Sequence, residues 1–192
     1  FRDILVSLKA DDAVTTELAC RLFAAKSRCP QHLGVTEAGS LLPGAVKTSV
    51  ALSALLRDGI GATLRVSLSE KPELQVRCAY ELLKALGLRE YGPEIISCPT
   101  CGRCCADVRG TVRALEAAIY GDPRLRRRAQ GLKIAVMGCA VNGPGEARGA
   151  DFGIAGAPGG GVLFENGVHK RCVPKTGWVK ILLETIRRGK KS

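Results

Sequence analysis

Three short runs of β-type residues recur in the first part of the chain at a spacing of about 30 residues: DILVSL at 3–8, HLGVTE at 32–37 and TLRVSL at 63–68. Each run gives way to polar, Gly or Pro residues and then to apolar residues at helical intervals, which predicts a strand, a turn and a helix. The helical stripes are Val14, Leu18, Leu22 and Phe23, then Val46, Val50, Ala54 and Leu55, then Leu74, Cys78, Leu82 and Leu86. Each is read as the buried face of its helix. Pro43 and Pro72 stand near the predicted starts of the second and third helices, and Gly59 and Gly87 where these helices should stop.

Consecutive βα units imply parallel strands joined by right-handed crossovers, so the fold class is α/β. Lys9, Glu37 and Ser67 sit at or just past the predicted strand ends, the edge where such folds place their chemistry. Three units leave parallel edges to be covered, and residues 1–90 are read as the last βα units of a (β/α)8 barrel. The chain opens on Phe1 and its one methionine is Met137, which fits the C-terminal portion of a longer polypeptide.

The texture changes near Gly92. A short strand, EIIS, runs into CPTCGRCC. A helix at 110–120, a basic loop, a strand at 133–138, strands at 151–155, 161–165 and 168–173, and a helix at 177–188 are expected to follow. Residues 91–192 thus form a small α+β domain.

With 192 residues, 46% of them apolar, the chain has the material for a packed core and is not a disordered tail. No apolar run approaches the ~18 residues of a membrane span, and no basic-then-apolar leader opens the chain, so the expectation is a soluble cytoplasmic protein without a membrane partner. Twenty-nine Lys and Arg against eighteen Asp and Glu give a net charge of +11, which favours an anionic partner. Only 4% of residues are Phe, Trp or Tyr, too few stacking platforms for a nucleic-acid binder. The basic runs at 124–128 and 187–191 are read as solvated surface.

Five of the nine cysteines, Cys98, Cys101, Cys104, Cys105 and Cys139, lie near Gly and Pro, a clustering that points to metal rather than disulfides. Cys20 and Cys78 fall at apolar helical positions and are read as small buried hydrophobes. Cys98-Pro-Thr-Cys101 sets two thiolates on one turn. In Met137-Gly-Cys139-Ala-Val-Asn142-Gly-Pro-Gly-Glu146 a strand delivers Cys139 into a turn that can fold Glu146 back beside it. Three thiolates suit zinc or an iron–sulfur cluster. Three thiolates and a carboxylate around a 4Fe-4S cluster would leave one iron with a hard, replaceable ligand.

ISCPTCGR followed by IAVMGCAVNGPGEARGADFGIAG resembles the iron–sulfur domain of the 4-hydroxy-3-methylbut-2-enyl diphosphate synthase family, and HLGVTEAG with GAVKTSVALSALLRDGIGATLRVSL resembles its barrel segment. The resemblance implies an oxidoreductase of non-mevalonate isoprenoid biosynthesis that opens 2-C-methyl-D-erythritol 2,4-cyclodiphosphate by two-electron reduction and loss of water. It implies that Cys98, Cys101 and Cys139 hold a 4Fe-4S cluster, with Glu146 as the displaceable fourth ligand and Asn142 facing substrate. On the barrel side it implies Lys9, Arg65 and Ser67 as diphosphate binders and Glu37 as the catalytic carboxylate, with His32 and Lys47 as further candidates in the same segments. It also implies a homodimer, in which one subunit's iron–sulfur domain closes over its partner's barrel mouth, and reduced flavodoxin or ferredoxin as electron donor. The resemblance places further diphosphate-binding arginines on earlier barrel strands, so these 192 residues alone are expected to be inactive.

Cys104 and Cys105 extend the run to C-x2-C-x2-CC, which leaves two other readings open. In one, four thiolates saturate the cluster and the domain is an electron carrier with no open iron. In the other, the same cysteines staple a nucleic-acid-binding module with zinc.

Overall fold

The computed structural model describes residues 3–139 and 149–189. It divides into two compact units, Phe1–Glu90 and Tyr91–Ser192, each with a core of its own. The architecture is α/β.

The first unit runs α1 (Ala13–Lys26), β1 (His32–Leu33), α2 (Leu41–Arg57), β2 (Thr63–Leu64) and α3 (Pro72–Ala85). β1 and β2 pair in parallel, and the run at 3–8 joins them through one parallel bridge, Val6 to Gln31. The strands are therefore shorter than the sequence predicts. Their ladders continue only as single bonds, Arg65 N–H to Leu33 O at 2.9 Å and Thr36 N–H to Ala10 O at 2.9 Å, before each run turns toward its helix. Gly59 and Gly87, at φ 73° and 69°, follow the caps of α2 and α3, where a left-handed residue closes a helix. Pro72 opens α3.

Alternation along the strands sorts the side chains. Leu33 and Val35 are buried with Ala51, Leu52, Leu55 and Leu82, and Val66 and Leu68 are buried with Ala38. His32, Gly34 and Thr36, and Thr63, Arg65 and Ser67, take the opposite face. The expected buried stripes of α1 and α2 are corrected here. Val14, Leu18 and Leu22 are 66%, 55% and 64% exposed, and Val46 and Val50 are 56% and 60% exposed. The faces that pack are centred on Thr16 and Cys20 in α1 and on Thr48, Ala51, Leu52 and Leu55 in α2. Thr16 and Cys20, and Thr48 and Leu52, lie two residues, or about 200° of helix rotation, from the exposed stripe residues, whereas Leu55 is buried as expected. Thr16 seats α1 by donating to Asp12 O at 2.8 Å, and the Cys20 thiol reaches Leu8 O at 3.5 Å. The α3 stripe is oriented as expected, with Leu82 buried; Cys78 packs half-buried against Ala38, Val66 and Leu68.

The second unit runs β3 (Glu94–Ser97), α4 (Val108–Gly121), α5 (Pro123–Arg128), β4 (Lys133–Met137), β5 (Phe152–Ala157), β6 (Gly160–Glu165), β7 (Val168–Pro174) and α6 (Trp178–Arg188). Its strands form one sheet in chain order, β3 to β5 parallel and β5 to β7 antiparallel. Asn166 and Gly167, both at positive φ, make the β6–β7 turn, the chemistry expected of a two-residue hairpin. Ile134, Val136, Ile154 and Leu163 pack one sheet face against Leu115, Ile119, Trp178, Leu182 and Ile186 of the helices. Part of the expected basic loop is helical instead. Asp122 accepts from Arg124 N–H at 2.8 Å, and Pro123 presets the first turn of α5. Among the described residues no helix is long and apolar enough to cross a membrane.

Candidate functional site

Each unit carries one cluster of chemistry-bearing side chains. In the first, Lys9, His32 and Arg65 gather on the polar face of the parallel segments. Gly34 makes the gathering possible. A Cβ there would lie 2.8 Å from Arg65 O and 3.2 Å and 3.4 Å from Lys9 Cε and Nζ. Burial, and next the Arg65 charge, push Lys9 below its ordinary value. Burial, followed by Lys9 and Arg65, lowers His32 in the same way. Groups that disfavour one another's charged forms make a ready site for an anion, whose charge would relieve the repulsion.

His32 is held on both sides. Its Nδ1 lies 2.8 Å from Thr63 Oγ1, and its carbonyl accepts from Ser7 Oγ at 3.0 Å. Glu37 follows on the exposed loop at φ 52°, a left-handed conformation that a non-glycine residue rarely holds. Ser67 is half-buried on β2's continuation. Among the described residues no hydrogen bond or ion pair joins Glu37 or Ser67 to Lys9, His32 or Arg65. Lys47 is directed elsewhere, donating to Asp11 O at 3.0 Å and tying α2 to the turn before α1.

In the second unit the cysteines collect at the C-terminal edge of the parallel strands. Cys98 follows β3 directly and Cys139 follows β4 by one residue, and the register Ser97 to Val136 sets these exits side by side. Adjacent strands lie about 4.8 Å apart. Gly138 organises the edge: its N–H donates to Cys98 Sγ at 3.2 Å, and its carbonyl accepts from Cys105 N–H at 2.9 Å. Any side chain at 138 would overlap the Cys104 sulfur. Gly156, on β5, is equally confined, its Cβ position 3.0 Å from Cys105 Sγ and overlapping Gly138 O.

The cysteines differ in their partners. Cys98 accepts a hydrogen bond from Gly138 N–H. Cys101, on the exposed turn, is held below its ordinary value by the amide and then the guanidinium of Arg103. Cys104 and Cys105 instead donate their thiol protons, to Ala106 O at 3.2 Å and to Gly138 O at 3.3 Å. Asn142 and Glu146 lie outside the described residues. Among the described residues no three His, Cys, Asp or Glu side chains converge tightly enough to hold a single metal ion. A four-iron cluster spreads its ligands over separate corners. The soft sulfur donors and the amide aimed at Cys98 suit such a group.

Sequence reasoning missed Thr63, Gly34, Gly138 and Gly156. Period-two alternation places Thr63 and Gly34 on the faces of Arg65 and His32, a signal available in the sequence. The two other glycines owe their importance to the cysteine loop packed on them, which no local pattern reveals.

Residues 1–80 match the family model described as the GcpE TIM-barrel domain, and residues 94–188 match the one described as the GcpE protein C-terminal domain. A 4-hydroxy-3-methylbut-2-en-1-yl diphosphate synthase (flavodoxin) of Thermodesulfovibrio yellowstonii is 48% identical over 188 residues, covering 98% of this chain and 52% of the relative. Proteins of the same name from Geobacter sulfurreducens and Lawsonia intracellularis are 46% and 50% identical over 189 and 173 residues. These alignments cover 98% and 90% of this chain and 52% and 46% of the relatives. The chain spans about half the length of the curated relatives it matches.

Proposed function

Because the chain belongs to the GcpE family, we propose that it forms the C-terminal portion of a flavodoxin-dependent 4-hydroxy-3-methylbut-2-en-1-yl diphosphate synthase. Residues 1–90 supply the last βα units of the barrel and residues 91–192 the iron–sulfur domain. The observation that carries this reading is the paired exit of Cys98 and Cys139 from adjacent parallel strands, with Gly138 N–H directed at the Cys98 sulfur.

Cys98, Cys101 and Cys139 would hold a 4Fe-4S cluster with Glu146 as its replaceable fourth ligand. Such a cluster would supply the two-electron reduction that opens the cyclodiphosphate ring, with a reduced flavodoxin or ferredoxin as donor. The rest of the work falls to side chains. Lys9 and Arg65 neutralise the diphosphate, Ser67 and His32 add hydrogen bonds to its oxygens, and Asn142 orients the sugar carbons. Glu37 supplies the proton that leaves with a hydroxyl as water. The substrate must meet both the cluster and the cation face, which a homodimer provides by closing one copy's iron–sulfur domain over the other copy's barrel and excluding water.

The all-cysteine electron carrier is the second reading. On that reading Cys104 or Cys105 would exchange the hydrogen bond it makes to Ala106 O or Gly138 O for an iron.

The test is anaerobic reconstitution of the protein with iron and sulfide, followed by visible and paramagnetic resonance spectra with and without 2-C-methyl-D-erythritol 2,4-cyclodiphosphate. Cys139→Ser is expected to lose the cluster. Glu146→Ala is expected to keep it and to lose the wild-type spectral response to the cyclodiphosphate. A protein that binds no cluster, or a full-length polypeptide whose cluster ignores that compound, overturns the reading.

A further inference from the structure

Cys104 is left without a role by the ligand set above, yet its sulfur borders the same space as that of Cys98. Gly138 defines that space. A Cβ on it would overlap Cys104 Sγ, would lie 3.2 Å from Cys104 Cβ and would stand 3.4 Å from Cys98 Sγ. Both sulfurs thus pack close to the bare Cα of one glycine, and both residues are half-buried. The other thiols of the loop are placed differently: Cys101 is exposed, and Cys105 is turned toward Gly138 O and Gly156.

We infer that Cys98 and Cys104 form a reversible disulfide when the chain carries no cluster and meets a peroxide, so that the pair is an oxidative modification site built into the cysteine loop. The chemistry balances with hydrogen peroxide as oxidant. The Cys98 thiolate attacks one peroxide oxygen, the O–O bond breaks, and Cys98 becomes a sulfenic acid as hydroxide leaves. Cys104, giving up the proton it shares with Ala106 O, attacks that sulfur; the S–S bond forms and the sulfenic oxygen departs as water. Two thiols and one peroxide yield one disulfide and two waters. The bond keeps Cys98 from going on to sulfinic acid, a state that thiols do not reverse, and a dithiol returns both cysteines for cluster assembly.

The disulfide belongs to the cluster-free chain, so its detection stands apart from the proposed cluster; only protection by a bound cluster rests on that reading. The experiment treats the cluster-free full chain with hydrogen peroxide, blocks residual thiols, digests with trypsin and maps linked peptides by mass spectrometry without reduction. Cleavage after Arg89, Arg103 and Arg109 separates Cys98 and Cys101 from Cys104 and Cys105. A linked pair of these peptides is expected in wild type, Cys101→Ser and Cys105→Ser, and is expected to vanish in Cys104→Ser and Cys98→Ser. After peroxide and then dithiothreitol, wild type should regain its iron and sulfide content on reconstitution, whereas Cys104→Ser should regain several-fold less and carry sulfinic acid at Cys98. A link that survives Cys104→Ser, one that needs Cys101 or Cys105, or the absence of any link between these peptides overturns the inference. So does full recovery of iron binding by oxidised Cys104→Ser.

Discussion

His32 and Thr63 face each other across the parallel pair β1 and β2, with His32 Nδ1 2.8 Å from Thr63 Oγ1. The bond fixes the imidazole beside two cations. Burial, Lys9 and Arg65 all lower its affinity for a proton. The unfolded chain, with an ordinary histidine near 6.5, therefore takes up a proton before the folded chain does. Stability from this source is complete above that value and is lost as pH falls through it toward the lowered folded value. Urea unfolding midpoints should drop between pH 7.5 and pH 5.5 by more in wild type than in His32→Gln. Equal pH slopes in the two proteins would contradict the lowered imidazole.

The same cluster predicts coupled proton uptake. An anion seated against Lys9, His32 and Arg65 offsets the two charges that hold His32 neutral, so its binding should raise the imidazole toward and above its ordinary value. Titration calorimetry of inorganic pyrophosphate at pH 7, repeated in buffers of different ionisation enthalpy, should show net proton uptake. In His32→Gln the buffer dependence should largely disappear while binding persists.

Gly34 permits Lys9 and Arg65 to occupy one face. Alanine there would place its Cβ 2.8 Å from the Arg65 carbonyl, a backbone atom that cannot move without shifting β2. Gly34→Ala is expected to cost about 1–3 kcal/mol of stability, the usual range for an overpacked site, and to weaken pyrophosphate binding. Chemical denaturation and the calorimetric titration measure the two effects, and unchanged values in both would show that the approach is looser than described.

Much of this architecture could be read from residue order, and the failures have a physical pattern. β3 coincides with EIIS because that run is brief, β-branched and bounded by Pro93 and Pro99. The β6–β7 hairpin declares itself through Asn166-Gly167. The stripes of α1 and α2 misled because hydrophobic spacing reports that a face avoids water, not which neighbour covers it. Small Thr16 and Cys20 won the inward position by letting α1 approach the strands, and the larger Val14, Leu18 and Leu22 were left outside. The cysteines show the same limit. Their spacing announced metal chemistry, but the difference between Cys98, which accepts from Gly138 N–H, and Cys105, which donates to Gly138 O, arises from packing on a residue more than thirty positions away.

Helix α4 begins where the cysteine loop ends, so its cap anchors that loop. Asp107 Oδ1 accepts from Gly110 N–H at 2.9 Å, and its carbonyl receives Thr111 Oγ1 at 2.7 Å. Asp107→Ala removes only the first bond. The expected loss is about 1 kcal/mol, seen as a lower urea midpoint. Asp107→Asn, which keeps a capping oxygen, should recover most of it. Failure of Asn to rescue would mean that charge rather than capping holds the helix start.

Gly138 is a tightly confined position at the cysteine edge. Its amide serves Cys98, its carbonyl serves Cys105, and its missing side chain leaves the room bordered by Cys104. Gly138→Ala forces either the Cys104 loop or the end of β4 to yield, and both carry assigned cluster ligands. The variant is expected to bind several-fold less iron after anaerobic reconstitution, with a destabilisation of about 1–3 kcal/mol. Gly102→Ala is the matched control, because it lies in the same loop and its Cβ would meet nothing within 4 Å. It should load iron as wild type does. Restoring iron binding to Gly138→Ala with a second change, Cys104→Ala, would locate the clash at that sulfur. If the double variant stays empty, the constraint lies instead in the backbone bonds that Gly138 makes to Cys98 and Cys105.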